Sequence, residues 1–112
     1  MSFVRPEDMG AFREAVTGAA GKKVIMQFSA DFCTVCKGIE GDLNQMAADN
    51  AEKIQFVYVD VTVLEDIAEM YEATDLPTFV AIDPSNPAKT IGRAEGSKID
   101  NIQKLVSDVA AM

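Results

Sequence analysis

The sequence predicts a mixed α/β domain, a central sheet sandwiched between helices in the order β-α-β-α-β-α-β-β-α. Three observations carry this expectation. The run from Val24 to Phe28 is too continuously apolar to alternate, which marks a strand covered on both faces and so the middle of a sheet. Such extended runs are interleaved with segments whose apolar residues recur every three or four positions, the spacing of one helix face. Near the C-terminal end two extended runs are separated only by the turn cluster Asp83-Pro84-Ser85-Asn86-Pro87, so parallel crossovers early give way to one antiparallel hairpin late. With 112 residues and no repeat, low-complexity tract or linker, the expectation is a single domain over residues 1–112.

Each element has its own signal. Phe3 and Val4 fit a short edge strand. Pro6 at a first helical position, with Glu7 and Asp8 behind it, reads as a helix start suited to the positive end of the dipole, and Met9, Phe12, Val16 and Ala19 form its apolar face. Gly18 and Gly21 mark its end. After Val24 to Phe28, a second helix is expected from Cys33 to about Asn50, with Val35, Ile39, Leu43 and Met46 on one face. Gly38 and Gly41 weaken it, each by on the order of 1 kcal/mol against alanine, and a kink is expected near Gly41. Ile54 to Val61 is β-branched and aromatic, hence a strand, and Leu64, Ile67, Ala68 and Tyr71 face one side of a third helix. Pro77 opens the strand Thr78 to Ile82, a place where a missing N–H is tolerated. Lys89 to Arg93 is the last strand, with Gly92 marking a bulge or a close approach. Ser97 is expected to cap a final helix whose apolar face is Ile99, Ile102, Leu105, Val106 and Val109. Met26, Met46 and Met70 read as core filler.

Composition excludes several function classes. Ten Lys and Arg against eighteen Asp and Glu give a net charge of −8 and a pI near 4.3, which repels phosphate backbones and anionic lipid heads, so neither nucleic acid nor membrane is expected as a partner. There is no histidine. Ser-His and Cys-His nucleophiles and His-ligated metals are thereby excluded, and two cysteines are too few for an all-thiolate zinc site, so no metal and no cofactor is expected. The first eight residues mix charges early and lack the apolar core of a secretory signal, and apolar runs fall far short of the roughly 20 residues that cross a bilayer. A cytoplasmic setting is the expectation, with processing from a longer precursor left open. There, paired cysteines are more often catalytic, redox-active or metal-binding than structural.

Cys33-Thr34-Val35-Cys36 stands where the chain leaves a buried strand and opens a helix. Unpaired amides and the dipole favour a thiolate on Cys33, predicting it as the more exposed nucleophile of lower pKa, while Cys36, one turn further in, lies close enough to close a small disulfide ring. Exchange then needs no cofactor. The competing reading of the pair is two buried, unreactive cysteines on one helix.

Phe28-Ser29-Ala30-Asp31-Phe32-Cys33-Thr34-Val35-Cys36-Lys37, then Val59-Asp60-Val61, Leu76-Pro77-Thr78-Phe79 and Gly92, resemble the thioredoxin family over nearly the whole chain. The resemblance implies a thioredoxin fold and a thiol-disulfide oxidoreductase that reduces or exchanges protein disulfides. Cys33 would attack substrate disulfides and Cys36 would resolve the mixed disulfide. Pro77 would be cis and face the sulfurs. Phe32, Leu76, Pro77 and Gly92 would form the substrate-binding surface, with the main chain of Leu76 taking up an extended substrate segment and Arg93 bordering the same groove. Expected partners are protein disulfide substrates and a thioredoxin reductase or small-thiol reductant, with the protein itself a monomer.

The departures from the family pattern matter equally. Gln27 stands where the family has a buried aspartate that exchanges the proton of the resolving thiol, and an amide cannot do that. Its other reading is a hydrogen-bonded core amide. Thr34-Val35 replaces Gly-Pro, and Phe32 replaces a tryptophan, keeping apolar surface without the indole N–H. Lys37 and Arg93 are cations of interest beside a thiolate, whereas Asp31, Asp60 and Asp75 read as solvated surface. These departures sustain an alternative function, a binding or adaptor module of this fold that uses the Phe32, Pro77 and Gly92 surface and exchanges disulfides weakly.

Overall fold

The computed structural model describes residues 3–19 and 21–112; Met1 and Ser2, which open the N-terminal run read above, and Ala20 lie outside the described residues. The elements are β1 (Phe3–Val4), α1 (Met9–Thr17), β2 (Lys23–Ser29), α2 (Thr34–Gly38), α3 (Glu40–Asp49), β3 (Ile54–Asp60), α4 (Glu65–Met70), β4 (Thr78–Asp83), β5 (Asn86–Glu95) and α5 (Ile99–Ala110). They build one five-stranded sheet in the order β1-β3-β2-β4-β5, with β3 parallel to β1 and β2, and β4 antiparallel to β2 and β5. β2 is the central strand, as its largely apolar run implies.

Strand alternation divides that run between two cores. Val24, Met26 and Phe28 meet Phe12 and Val16 of α1 and Ile67 of α4 on one face. Ile25 points the other way, into a layer with Leu43 and Met46 of α3 and Ile102 and Leu105 of α5. Among the described residues no helix is long and apolar enough to cross a membrane.

Several boundaries differ from expectation, each for a local reason. α1 begins at Met9, not Pro6, because Asp8 adopts an extended conformation and its carboxylate accepts the Ala11 amide at 2.7 Å as N-cap. The predicted second helix is two helices broken at Ile39, which follows Gly38 and is pulled into the core; the kink does not fall at Gly41. The helical period restarts at the break, so Val35 is 53 % exposed and Cys36 takes the inward position of α2. β5 runs well beyond Lys89 to Arg93, since an edge strand lacks a neighbour on one side and tolerates Pro87. Gly96 turns the chain at φ +90°, and Lys98 rather than Ser97 occupies the N-cap of α5. Met26 and Met46 are core residues, but Met70, the last residue of the short α4, is 64 % exposed.

Candidate active site

β2 ends at Ser29, and a tight turn in which the Cys33 amide donates to Ala30 O at 3.0 Å delivers the chain into α2. Cys33 is the N-cap of that helix. Its sulfur accepts the Cys36 amide at 3.3 Å and is bonded to Cys36 Sγ at 2.12 Å, with 5.3 Å between the Cα atoms. The pair is therefore a disulfide and not two inert cysteines. Cys33 is 8 % exposed and Cys36 5 %, so Cys33 is the more exposed of the two, as expected, although both are buried: the bonded sulfur is folded onto the first turn of α2. What stands out to solvent is its neighbours, Phe32 at 72 % and Val35.

The Leu76–Pro77 bond is cis. Antiparallel pairing sets Thr78 against Phe28, and continuing that register by one step sets Pro77 beside Ser29, at the sheet end from which the cysteine turn departs. Pro77 is buried, and Leu76 is half-buried against the α1 and α4 core. Thr78 Oγ1 donates to Asp75 O at 2.5 Å and the Gly96 amide donates to Pro77 O at 2.8 Å, which fixes the segment from both sides.

Two residues expected at this surface lie elsewhere. Gly92 pairs with Ala81, three residues along β5 from Glu95, the partner of Thr78, and a Cβ on it would stand 2.6 Å from Leu105 Cδ1. Its reason for being glycine is the close approach of α5 beside a bulge at Ile91. Gly96, at positive φ, is the glycine that reaches Pro77. Arg93 is also placed away from the sulfurs: its guanidinium donates to Tyr71 O at 2.6 Å and Glu72 O at 2.7 Å and meets Glu95 at 3.0 Å. Asp60 accepts from the Thr62 amide and hydroxyl, a local turn contact.

Beneath Cys36 lies a cavity of about 200 Å³. Its lining includes Gln27, Ser29, Tyr58 and Lys37, with Arg5 and Glu40 beside them. Gln27 and Tyr58 are register partners on β2 and β3, and the Arg5 guanidinium lies 4.1 Å from the centre of the Tyr58 ring, so a polar row crosses the sheet on a face otherwise apolar. The sequence singled out Gln27 and Lys37 among these residues, but not Tyr58 or Arg5. A signal for the rest was present in the period of two, which puts Gln27 with Ser29 on one face of β2 and Tyr58 on the matching face of β3.

A dithiol that closes to a disulfide at a strand-to-helix turn, on a sheet end shared with a cis-proline, defines a small thiol-disulfide exchange domain. The family model described as Thioredoxin matches residues 4–108. Thioredoxin H2 of Arabidopsis thaliana is 36 % identical over 92 residues, 82 % of this chain and 66 % of that protein. A thioredoxin of Echinococcus granulosus is 33 % identical over 105 residues, 94 % of this chain and 92 % of its own length. The crystal structure of the germline-specific Drosophila thioredoxin Deadhead superposes with a TM-score of 0.89 at 20 % identity, covering 96 % of this chain and 99 % of that one, and speaks for the fold. The chain belongs to the thioredoxin family, whose members are thiol-disulfide oxidoreductases acting on protein disulfides.

Proposed function

We propose that this protein is a monomeric cytoplasmic protein-disulfide oxidoreductase in which Cys33 is the attacking thiol and Cys36 the resolving one. The observation that carries the assignment is the position of Cys33 as N-cap of α2, its sulfur receiving the Cys36 amide. In the reduced protein that donor is available to a thiolate on Cys33. Attack on a substrate disulfide forms the Cys33–substrate bond and expels one substrate thiolate. Cys36 then attacks Cys33 Sγ, closing the internal disulfide and releasing the second substrate thiolate. Phe32 and Val35 offer apolar contact beside the sulfurs, and the main chain of Leu76 and Pro77 at the open sheet end suits an extended substrate segment. A thioredoxin reductase or a small thiol returns the two electrons.

The test is covalent trapping with a disulfide-containing protein. Cys36→Ser is expected to accumulate a mixed disulfide through Cys33, seen as an added substrate mass, and Cys33→Ser to give no turnover. Adduct formation by Cys33→Ser alone would reverse the roles. Partner binding that survives both changes, without adduct in either, would favour the adaptor alternative.

A further inference from the structure

Cys36 is 5 % exposed, and Gln27, a polar side chain of β2 that lines the same cavity, carries no ionisable proton. Resolution nevertheless requires Cys36 to lose a proton. The cavity that Cys36 lines offers the thiol a route to solvent. At about 200 Å³ it has room for several waters, each of which occupies about 30 Å³ in the liquid. Its lining also carries an unpartnered polar residue: Ser29, among the lining residues, is 1 % exposed, and its hydroxyl is without a hydrogen-bond partner among the described residues. A buried hydroxyl left in this state calls for water.

The outer wall supplies a base. Glu40 is the first residue of α3, four positions after Cys36; it is among the residues that line the cavity, and its side chain is 54 % exposed. Arg5 Nη2 holds Glu40 Oε1 at 3.5 Å and is itself stacked over Tyr58, which ties the carboxylate to the end of the Arg5–Tyr58–Gln27 row. The other titratable or charged groups facing the cavity are Asp31 from the turn after β2 and Lys37 from α2.

Resting on the oxidoreductase reading above, we propose that Glu40 is the proton acceptor for the resolving step, acting through water held in this cavity by Ser29 and Gln27, with Arg5 as a positioning residue. As Cys36 attacks Cys33 Sγ, its thiol proton passes to cavity water and on to the Glu40 carboxylate. The Cys33–Cys36 bond forms, the Cys33–substrate bond breaks with its electron pair on the substrate sulfur, and that thiolate takes a proton from solvent. Glu40, open to solvent on its outer side, then releases its own.

The experiment is rapid-quench kinetics of a single turnover with a protein disulfide, scoring formation and decay of the mixed disulfide by mass from pH 5 to 9. In the wild type, decay is expected to stay level across neutral pH. Glu40→Gln is expected to slow decay by about ten-fold at pH 7, below the roughly 10²–10⁴-fold range of direct general-base contributions. Below neutrality its rate should drop about ten-fold per pH unit, since only preformed thiolate then reacts. Formation of the mixed disulfide by Cys33 should be unchanged, and Glu40→Asp should restore part of the decay rate.

Charge alone predicts the opposite sign. Removing a negative charge near Cys36 favours its thiolate and speeds decay. Decay in Glu40→Gln that equals or exceeds the wild type, with the same pH profile, would overturn the proposal while leaving the oxidoreductase reading intact. A wild type that never forms or never resolves a mixed disulfide would instead overturn the reading on which it rests.

Discussion

The main-chain amide of Cys36 donates to the sulfur of Cys33 at 3.3 Å. The contact is asymmetric: one cysteine of the pair sits at the N-cap and receives a donor, and the other supplies it from inside the helix. On reduction, the same amide is expected to stabilise a charge on Cys33.

In the reduced protein, alkylation at pH 7 should therefore modify Cys33 first, about ten-fold faster than Cys36, as thiolate stabilised by a backbone donor reacts ahead of a buried thiol. Peptide mapping after a brief pulse of iodoacetamide checks it. Equal labelling of both cysteines would remove the basis for assigning their roles.

The two glycines of the last hairpin should separate stability from exchange. Gly92→Ala places a methyl group against Leu105 of α5, at 2.6 Å from a flexible side-chain end, and is expected to cost about 1 kcal/mol without altering exchange. Gly96→Ala meets no neighbour but forces an L residue to φ +90°, at about 1–2 kcal/mol, and disturbs the bond to Pro77 O. Turnover of a protein disulfide should fall with Gly96→Ala and not with Gly92→Ala, as measured by urea denaturation beside an insulin-type reduction assay.

Arg93 is predicted to be structural. Its guanidinium closes the C-terminal end of α4 through the carbonyls of Tyr71 and Glu72, the latter at φ +55°. Arg93→Ala should lower stability by about 1.5–3 kcal/mol, the range for hydrogen bonds made by a charged group, and leave the reactivity of Cys33 unchanged. A shift in the pH dependence of Cys33 alkylation would place this cation nearer the sulfur than the geometry does.

Asp83 gives the protein an acid-sensitive contact. The Ser85 amide, then the Lys23 ammonium at 3.0 Å and the Ser85 hydroxyl, lower its carboxyl pKa from 3.8 to about 2. The folded state thus binds this proton less readily than the unfolded chain, so the contribution is complete above about pH 4 and is lost as pH falls through about 2. The gap in denaturation midpoint between wild type and Asp83→Asn should be constant from pH 7 to 5 and narrow between pH 4 and 2. A gap independent of pH would contradict the assignment.

How much was legible beforehand follows from which forces act locally. The run from Val24 to Phe28 announced a strand buried on both faces because burial leaves no alternation to hide, and the sheet order obeys it. Cys33 and Cys36 were legible for a similar reason, their spacing and the strand-to-helix context being local. The break at Ile39 was displaced from Gly41 because tertiary packing of the Ile39 side chain, not glycine content alone, decides where two helices part. Gly92 was misplaced because a glycine dictated by a helix crossing above it and one dictated by positive φ look the same in sequence. The cavity row is legible only once register joins Gln27 to Tyr58 and brings Arg5 over its ring, contacts between residues far apart in the chain.

The central claim, that Cys33 and Cys36 form a working dithiol, is tested most directly by equilibrating the protein in graded redox buffers and counting free thiols by labelling and mass. One reversible two-electron transition is expected, with both thiols appearing together within the span of cellular thiol buffers. A pair that forms no internal disulfide, or that stays in one state across that whole span, would contradict it.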